Sequence, residues 1–144
     1  MQHRILIVDD NPMNVSLLED ILGDEYEHIA TAGSGEEALD VAERFHPTLI
    51  LLDIMMPGID GYETCRRLRN NSDLKYVKIV LVSAKAMVSE RLQGYEVCRA
   101  FGFPRDCCQG CVVAGRELPS AHLLSSGLGL PPSQILSEFR LCLR

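Results

Sequence analysis

Four short apolar runs, separated by amphipathic stretches, organise the first two thirds of the chain. The runs at 4–8, 48–52 and 78–82 are almost continuously apolar, which is typical of strands buried on both faces of a parallel sheet. The run at 27–32 contains more polar residues and therefore predicts a strand at the edge of that sheet.

Helix signals lie between these runs. Asn11 and Pro12 predict the start of a first helix, Ser34 and Glu37 form a capping box that predicts a second, and Asp60 predicts the cap of a third. A short fourth helix is predicted from the spacing of Val88, Leu92 and Tyr95. Strands that alternate with helices imply a parallel sheet with right-handed crossovers.

The charge and hydropathy of the chain narrow the class of partner. A formal net charge of -6 argues against nucleic acid or an anionic membrane surface as the direct partner. No apolar run approaches the length that spans a membrane, and the first residues lead straight into a strand instead of a signal peptide. We therefore expect a cytoplasmic protein.

The composition changes abruptly near residue 97. The segment 97–144 holds five of the six cysteines and no lysine, whereas residues 1–96 are rich in acidic side chains. We therefore predict two parts, an α/β domain at 1–96 that ends with the fourth helix and an atypical cysteine-rich segment at 97–144.

Polar side chains stand at the ends of three predicted strands. Asp9 and Asp10 end the first strand, Asp53 ends the third and Ser83 ends the fourth. Because the carboxyl ends of parallel strands meet at one edge of the sheet, these side chains are expected to face one crevice.

Carboxylates in such a crevice repel one another by roughly 4 kcal/mol per pair at 4 Å and an effective dielectric of 20. A hard divalent cation with oxygen ligands offsets this repulsion, and so few carboxylates suit Mg²⁺ better than Ca²⁺. A carboxylate beside Mg²⁺ can attack phosphorus and form an aspartyl phosphate, and the Ser83 hydroxyl is placed to donate to a phosphoryl oxygen.

Three separated motifs of the chain resemble those of the receiver domain of two-component response regulators. They are Ile7-Val8-Asp9-Asp10-Asn11, Leu51-Leu52-Asp53-Ile54-Met55-Met56-Pro57-Gly58-Ile59-Asp60-Gly61 and Val80-Leu81-Val82-Ser83-Ala84. The resemblance covers residues 4–96. It implies a flavodoxin-like (CheY-like) doubly wound parallel sheet of strand order 2-1-3-4-5, here with an atypical or replaced fifth strand and last helix.

The resemblance also implies roles for individual residues. By this resemblance, Asp53 would be the residue that a sensor histidine kinase or a phosphotransfer protein phosphorylates. Asp10 and Asp53 would bind Mg²⁺ together with the backbone carbonyl of Met55, and Asp9 would act through a bound water. Ser83 would take the place of the family's Thr or Ser. Such a domain is a regulatory phosphoacceptor with slow self-hydrolysis, not an enzyme in the usual sense.

The family's pattern breaks down after Glu96. The Lys-Pro pair that the family carries after its fifth strand is missing, and Arg105 falls near the expected position. Arg is not equivalent to Lys at a point-charge contact, and Lys85 lies in a different loop, at a position that tunes dephosphorylation in the family. A shifted reading frame from codon 97 is our hypothesis for this change. The coding DNA read in the alternative frame should then restore Ala-Gly-Ala-Asp-Asp and Lys-Pro.

The replaced segment offers substitutes for the missing elements. The apolar run at 111–114 is a candidate fifth strand, and Ser133 is a candidate cap for a last helix. If these pack poorly, the exposed fourth strand favours a homodimer that pairs edges or exchanges C-terminal segments. Cys108 and Cys111 have zinc-knuckle spacing, which is a weak signal without a second pair.

Two functions of other classes stay open at this stage. A degenerate receiver could act as a dimerisation or interaction module without phosphorylation. A haloacid-dehalogenase-like phosphatase also uses an Asp nucleophile with Mg²⁺, although that family has Asp-x-Asp after its first strand where this chain has Asp9-Asp10-Asn11.

Overall fold

The computed structural model of the protein describes residues 2–82. Strands and helices alternate throughout this part of the chain, as the apolar periodicity predicts. The elements are β1 (Arg4–Val8), α1 (Pro12–Gly23), β2 (His28–Ala32), α2 (Gly35–Phe45), β3 (Leu49–Asp53), α3 (Gly61–Asn70) and β4 (Lys78–Val82).

The four strands form one parallel sheet in the order β2-β1-β3-β4. This confirms the predicted doubly wound order 2-1-3-4 and the edge position of β2, whose residues are more exposed than those of β1 or β3. The predicted fifth strand, the helix expected around 88–95 and the segment 97–144 lie outside the described residues, so the proposed division of the chain stays a prediction.

Two apolar layers cover the two faces of the sheet, which explains why the strands are continuously apolar. Along β1, Ile5 and Ile7 point to one face, where they pack with Leu18 and Leu22 of α1. Leu6 and Val8 point to the opposite face, which α2 and α3 cover. The residues α2 and α3 bury there include Ala38, Ala42, Cys65 and Leu68.

Polar caps begin the three helices where the sequence predicts them. The side chain of Asn11 accepts a hydrogen bond from the Met13 N–H at 3.0 Å, and the Asp60 carboxylate accepts one from the Glu63 N–H at 2.8 Å. The cap of α2 is Ser34. Each cap satisfies a backbone N–H that the helix itself leaves without a partner. None of the helices in this part of the chain has the length and hydropathy that a membrane crossing requires.

Candidate metal-binding site

The pairing of β1 with β3 brings the predicted carboxylates together. Val8 lies opposite Leu52 in the parallel register. Asp9, which follows β1, and Asp53, the last residue of β3, therefore reach the same edge of the sheet. Asp10 follows in the loop before α1. One carboxylate oxygen from each of these three residues lies within 4.8 Å of the other two.

Asp9 is the buried member of the cluster. Only 5% of its surface is exposed. Its Oδ1 accepts a hydrogen bond from the Asn11 N–H at 2.8 Å, and its Oδ2 accepts one from Nδ2 of Asn14 at 3.0 Å. Burial raises the pKa of Asp9, the two hydrogen bonds oppose that rise, and the Asp10 charge adds to it. The hydrogen bonds also fix the direction in which this carboxylate points.

Asp53, the last residue of β3, is half-buried. Burial, and after it the charge of Asp9, raises the pKa of the Asp53 carboxyl from 3.8 to about 7. A hydrogen bond from the Met55 N–H at 3.3 Å works in the opposite direction. Without a cation, a substantial share of this carboxyl is therefore protonated at neutral pH.

The donor set fits a hard divalent cation. Three carboxylates supply oxygen ligands, which Mg²⁺ prefers. Within residues 2–82, the charges that shift the pKa values of Asp9 and Asp53 belong to the other carboxylates of the cluster, and no arginine or lysine is among them. A divalent cation would offset the part of the rise in the Asp53 pKa that comes from the charges of Asp9 and Asp10.

The loop after Asp53 brings a further predicted ligand residue to the cluster. Met55 is 59% exposed, and its N–H bonds to the Asp53 carboxylate. At the other end of the loop, the Gly61 N–H donates to the Ile54 carbonyl at 3.0 Å. The loop therefore starts and ends against the end of β3.

A solvent-facing cleft of about 360 Å³ adjoins Asp9 and Asp10. It runs between the first two turns of α1 and the end of β2, with Val15 and Ala32 among its walls. The cleft thus opens onto Asp9 and Asp10, whereas Asp53 is not among the residues that line it.

The structure brings together Asp9, Asp10, Asp53 and Met55, which the sequence proposes for one site. The other residues proposed from the sequence lie outside the described residues. They are Ser83, Lys85 and Arg105.

Sequence reasoning missed Asn14 and Glu36. Asn14 lies five residues after Asp9, in the first turn of α1, where a side chain can reach back to the end of β1. This position was the signal by which the sequence could have identified it. Glu36 contacts the loop after Asp53 although it lies 23 residues from its partner Ile59 in the chain, and no local pattern signals such a contact.

Comparison with known proteins identifies the family of the chain. The response regulator receiver domain family matches residues 5–103. The response regulator PleD of Caulobacter vibrioides is 45% identical over 96 residues, which are 67% of this chain and 21% of that protein. The chain thus spans about a fifth of the length of this curated relative.

Solved structures give the same result. The N-terminal domain of a response regulator receiver protein from Methanoculleus marisnigri is 34% identical with a TM-score of 0.62, over 68% of this chain and 80% of that one. The receiver domain of sensor histidine kinase PA1611 from Pseudomonas aeruginosa, which holds a magnesium ion in its active-site cleft, is 31% identical with a TM-score of 0.59, over 71% of this chain and 80% of that one. The chain belongs to the response regulator receiver domain family.

Proposed function

We propose that the protein is a phosphoacceptor switch in which Asp53 takes a phosphoryl group from a sensor histidine kinase or a phosphotransfer protein. The observation that carries this proposal is the convergence of Asp9, Asp10 and Asp53 within 4.8 Å at the open edge of the sheet. Membership of the family makes the protein a regulatory signalling domain, and the residue roles that follow are our assignment.

The proposed metal ligands are Asp10, Asp53 and the carbonyl of Met55, with Asp9 acting through a water molecule. When bound, Mg²⁺ would supply positive charge that keeps Asp53 ionised and neutralises the phosphoryl oxygens. Magnesium in the related receiver domain of PA1611 supports this choice of ion.

The chemical step is a substitution at phosphorus. One oxygen of the ionised Asp53 carboxylate forms a bond to phosphorus while the bond from phosphorus to the donor's imidazole nitrogen breaks. The imidazole leaves with the bonding electron pair and takes up a proton, and the product is an acyl phosphate on Asp53. Attack by water on that phosphorus restores the carboxylate, and this self-hydrolysis is proposed to be slow.

Ser83 is proposed to donate its hydroxyl to a phosphoryl oxygen and so to report phosphorylation. The residue before it in the chain, Val82, accepts a hydrogen bond from the Ile54 N–H at 3.1 Å, and Ile54 is the neighbour of Asp53. This adjacency in the chain supports the role. Lys85 and Arg105 are proposed as secondary influences on the phosphoryl group, Arg105 standing in for the missing Lys.

Acetyl phosphate with Mg²⁺ tests the acceptor directly, because it needs no kinase. Intact mass should show one added phosphoryl group on the wild type and on Asp20→Asn, a charge-matched control on the exposed side of α1. Asp53→Asn and an EDTA-treated sample should show none. A phosphoryl group that persists on Asp53→Asn would refute the assignment.

A second candidate function is an interaction module that dimerises without phosphorylation. The observation that favours it is the replacement of the family's Lys-Pro and the cysteine-rich composition of 97–144. Such a module would form a homodimer through 97–144. Its mark would be partner binding that is the same in the Asp53→Asn variant as in the wild type. Family membership argues against the phosphatase alternative, because receiver domains are regulatory.

The setting and partner class follow the same proposal. We also propose a cytoplasmic location. The direct partner is proposed to be a protein, because the net charge of -6 disfavours nucleic acid and anionic membrane surfaces. We also propose that the receiver proper ends near residue 96 and that 97–144 supplies substitutes for the fifth strand and last helix.

A further inference from the structure

The first turn of α2 lies directly against the loop that follows Asp53. Gly35, the first residue of α2, sits so close to Thr64 and Ile59 that a Cβ has no room there. Thr64 is itself completely buried and donates its hydroxyl to the Asp60 carbonyl at 2.8 Å. The start of α2 is therefore in tight contact with both the loop and the start of α3.

Glu36, the next residue, bonds to the loop with its side chain. Its Oε1 accepts a hydrogen bond from the Ile59 N–H at 3.4 Å. The same carboxylate faces Gly58, where a Cβ would lie 3.1 Å from Oε1. Gly58 has a φ of +79°, a conformation that glycine adopts without strain. The loop thus turns in a way that lets the Glu36 carboxylate approach its backbone.

Glu37 has a different role although it follows Glu36 directly. Its Oε2 accepts a hydrogen bond from the Gly33 N–H at 2.7 Å, and its own N–H donates to Ser34 Oγ at 3.1 Å. These bonds cap the helix to which Glu37 belongs. The two adjacent glutamates therefore bond to different parts of the protein. Glu37 caps the start of α2, whereas Glu36 bonds to the loop after Asp53.

The loop that Glu36 contacts is short and carries the proposed ligand Met55. Its beginning is held by the hydrogen bond from the Met55 N–H to Asp53. The contact of Glu36 with Gly58 and Ile59 holds the loop three to four residues further on. Because a chain fixed at both points has little freedom between them, the Glu36 contact limits how far the Met55 carbonyl can move from the acidic cluster.

We propose that Glu36 is a positioning residue for the metal site, which it serves by holding the loop that carries Met55. This inference rests on the proposed function, since it assigns the Met55 carbonyl as a ligand. Glu36 acts as a hydrogen-bond acceptor in this role and does not touch the ion. Its amide isostere should therefore replace it, whereas a side chain without an acceptor should not.

Three single variants separate this role from a general effect on folding. Glu36→Ala should weaken Mg²⁺ binding by about threefold, because the bond to the Ile59 N–H is long at 3.4 Å and acts on the ion only through the loop. Glu36→Gln should stay within about twofold of the wild type, because its side-chain oxygen still accepts from Ile59. Glu37→Ala is the matched control, which should lower the thermal midpoint by loss of the cap and leave Mg²⁺ affinity unchanged.

Amide hydrogen exchange of Ile59 in the metal-free protein gives a readout that does not depend on the metal. Exchange should accelerate in Glu36→Ala and stay slow in Glu36→Gln and Glu37→Ala. Unchanged Mg²⁺ affinity in Glu36→Ala would overturn the proposal, and so would equal weakening in Glu36→Ala and Glu36→Gln. If the wild type takes up neither Mg²⁺ nor phosphate, the proposed function fails by itself, and unchanged Ile59 exchange in Glu36→Ala then overturns the holding role separately.

Discussion

The backbone of Gly61 packs against the carbonyl oxygen of Asp53, with no room between them for a Cβ. A Cβ at this position would overlap that oxygen and would also lie 2.7 Å from the Cα of Ile54. Gly61 is the first residue of α3, and its N–H bonds to the Ile54 carbonyl. Helix α3 therefore begins directly on the backbone that carries the proposed acceptor, so a shift of one displaces the other.

Gly61→Ala should destabilise the protein by about 1 to 3 kcal/mol, because the added methyl group must push α3 away from the end of β3. Urea unfolding measures this change. Gly23→Ala is the matched control, since Gly23 ends α1 and has open space where its Cβ would stand. That control should be neutral or slightly stabilising. Equal stability of the two variants would contradict the close approach at Gly61.

Arg69 bonds to the backbone of the turn between α3 and β4. Its Nη1 donates to the carbonyls of Lys75 at 3.1 Å and Val77 at 2.6 Å. Arg69→Lys should cost about 1 to 2 kcal/mol, because an ammonium on a flexible stem does not reproduce the planar guanidinium. The control Arg66→Lys, at an exposed position, should leave the denaturation midpoint unchanged. A cost at Arg66 as large as that at Arg69 would argue against the proposed role of the turn contacts.

The sheet and the acidic cluster were predictable from the sequence for a simple physical reason. The periodicity of apolar residues reports which faces a segment buries, so the double-sided burial of β1 and β3 can be read directly. Parallel strands then place their carboxyl ends at one edge, which makes the meeting of Asp9 and Asp53 a geometric consequence. The helix caps were equally predictable, since a cap bonds to backbone only two or three residues away.

The contacts that hold the site together were not predictable in this way. Periodicity identifies a buried face without naming the partner that covers it. The bond from Ile59 to Glu36 joins residues 23 positions apart, and it exists only because α2 and α3 lie side by side on one face of the sheet. In the sequence Gly61 follows the predicted cap Asp60 at the start of a helix, whereas its structural requirement is the absence of a Cβ against Asp53.

The raised pKa of Asp53 makes the stability of the metal-free protein depend on pH. Because the pKa is about 7 in the folded protein and 3.8 for an ordinary carboxyl, the folded state binds the proton more tightly than the unfolded chain. The stabilisation this supplies is complete below about pH 4 and is lost as the pH rises through 7. Asp53→Asn removes this dependence, since an amide does not ionise.

Metal-free Asp53→Asn should therefore be more stable than the wild type at pH 8, by about 1 to 2 kcal/mol after allowance for solvent screening. The difference should shrink as the pH falls towards 4. Thermal unfolding in EDTA across this pH range measures it, with Asp20→Asn as the exposed control. A difference that stays constant with pH would show that Asp53 does not titrate as assigned.

Mg²⁺ should raise the free energy of unfolding, because it should bind the carboxylate cluster of the folded protein and not the unfolded chain. At a free concentration about 100 times the dissociation constant, one site contributes about 2.7 kcal/mol to stability. The thermal midpoint of the wild type at pH 8 should rise with Mg²⁺ and fall again with EDTA. Asp10 is exposed and supplies one of the three carboxylate oxygens of the cluster, so Asp10→Asn should lose most of this rise in thermal midpoint. Asp20→Asn should retain it, and an equal response in Asp10→Asn and Asp20→Asn would mean that Mg²⁺ acts on surface charge in general and not at this site.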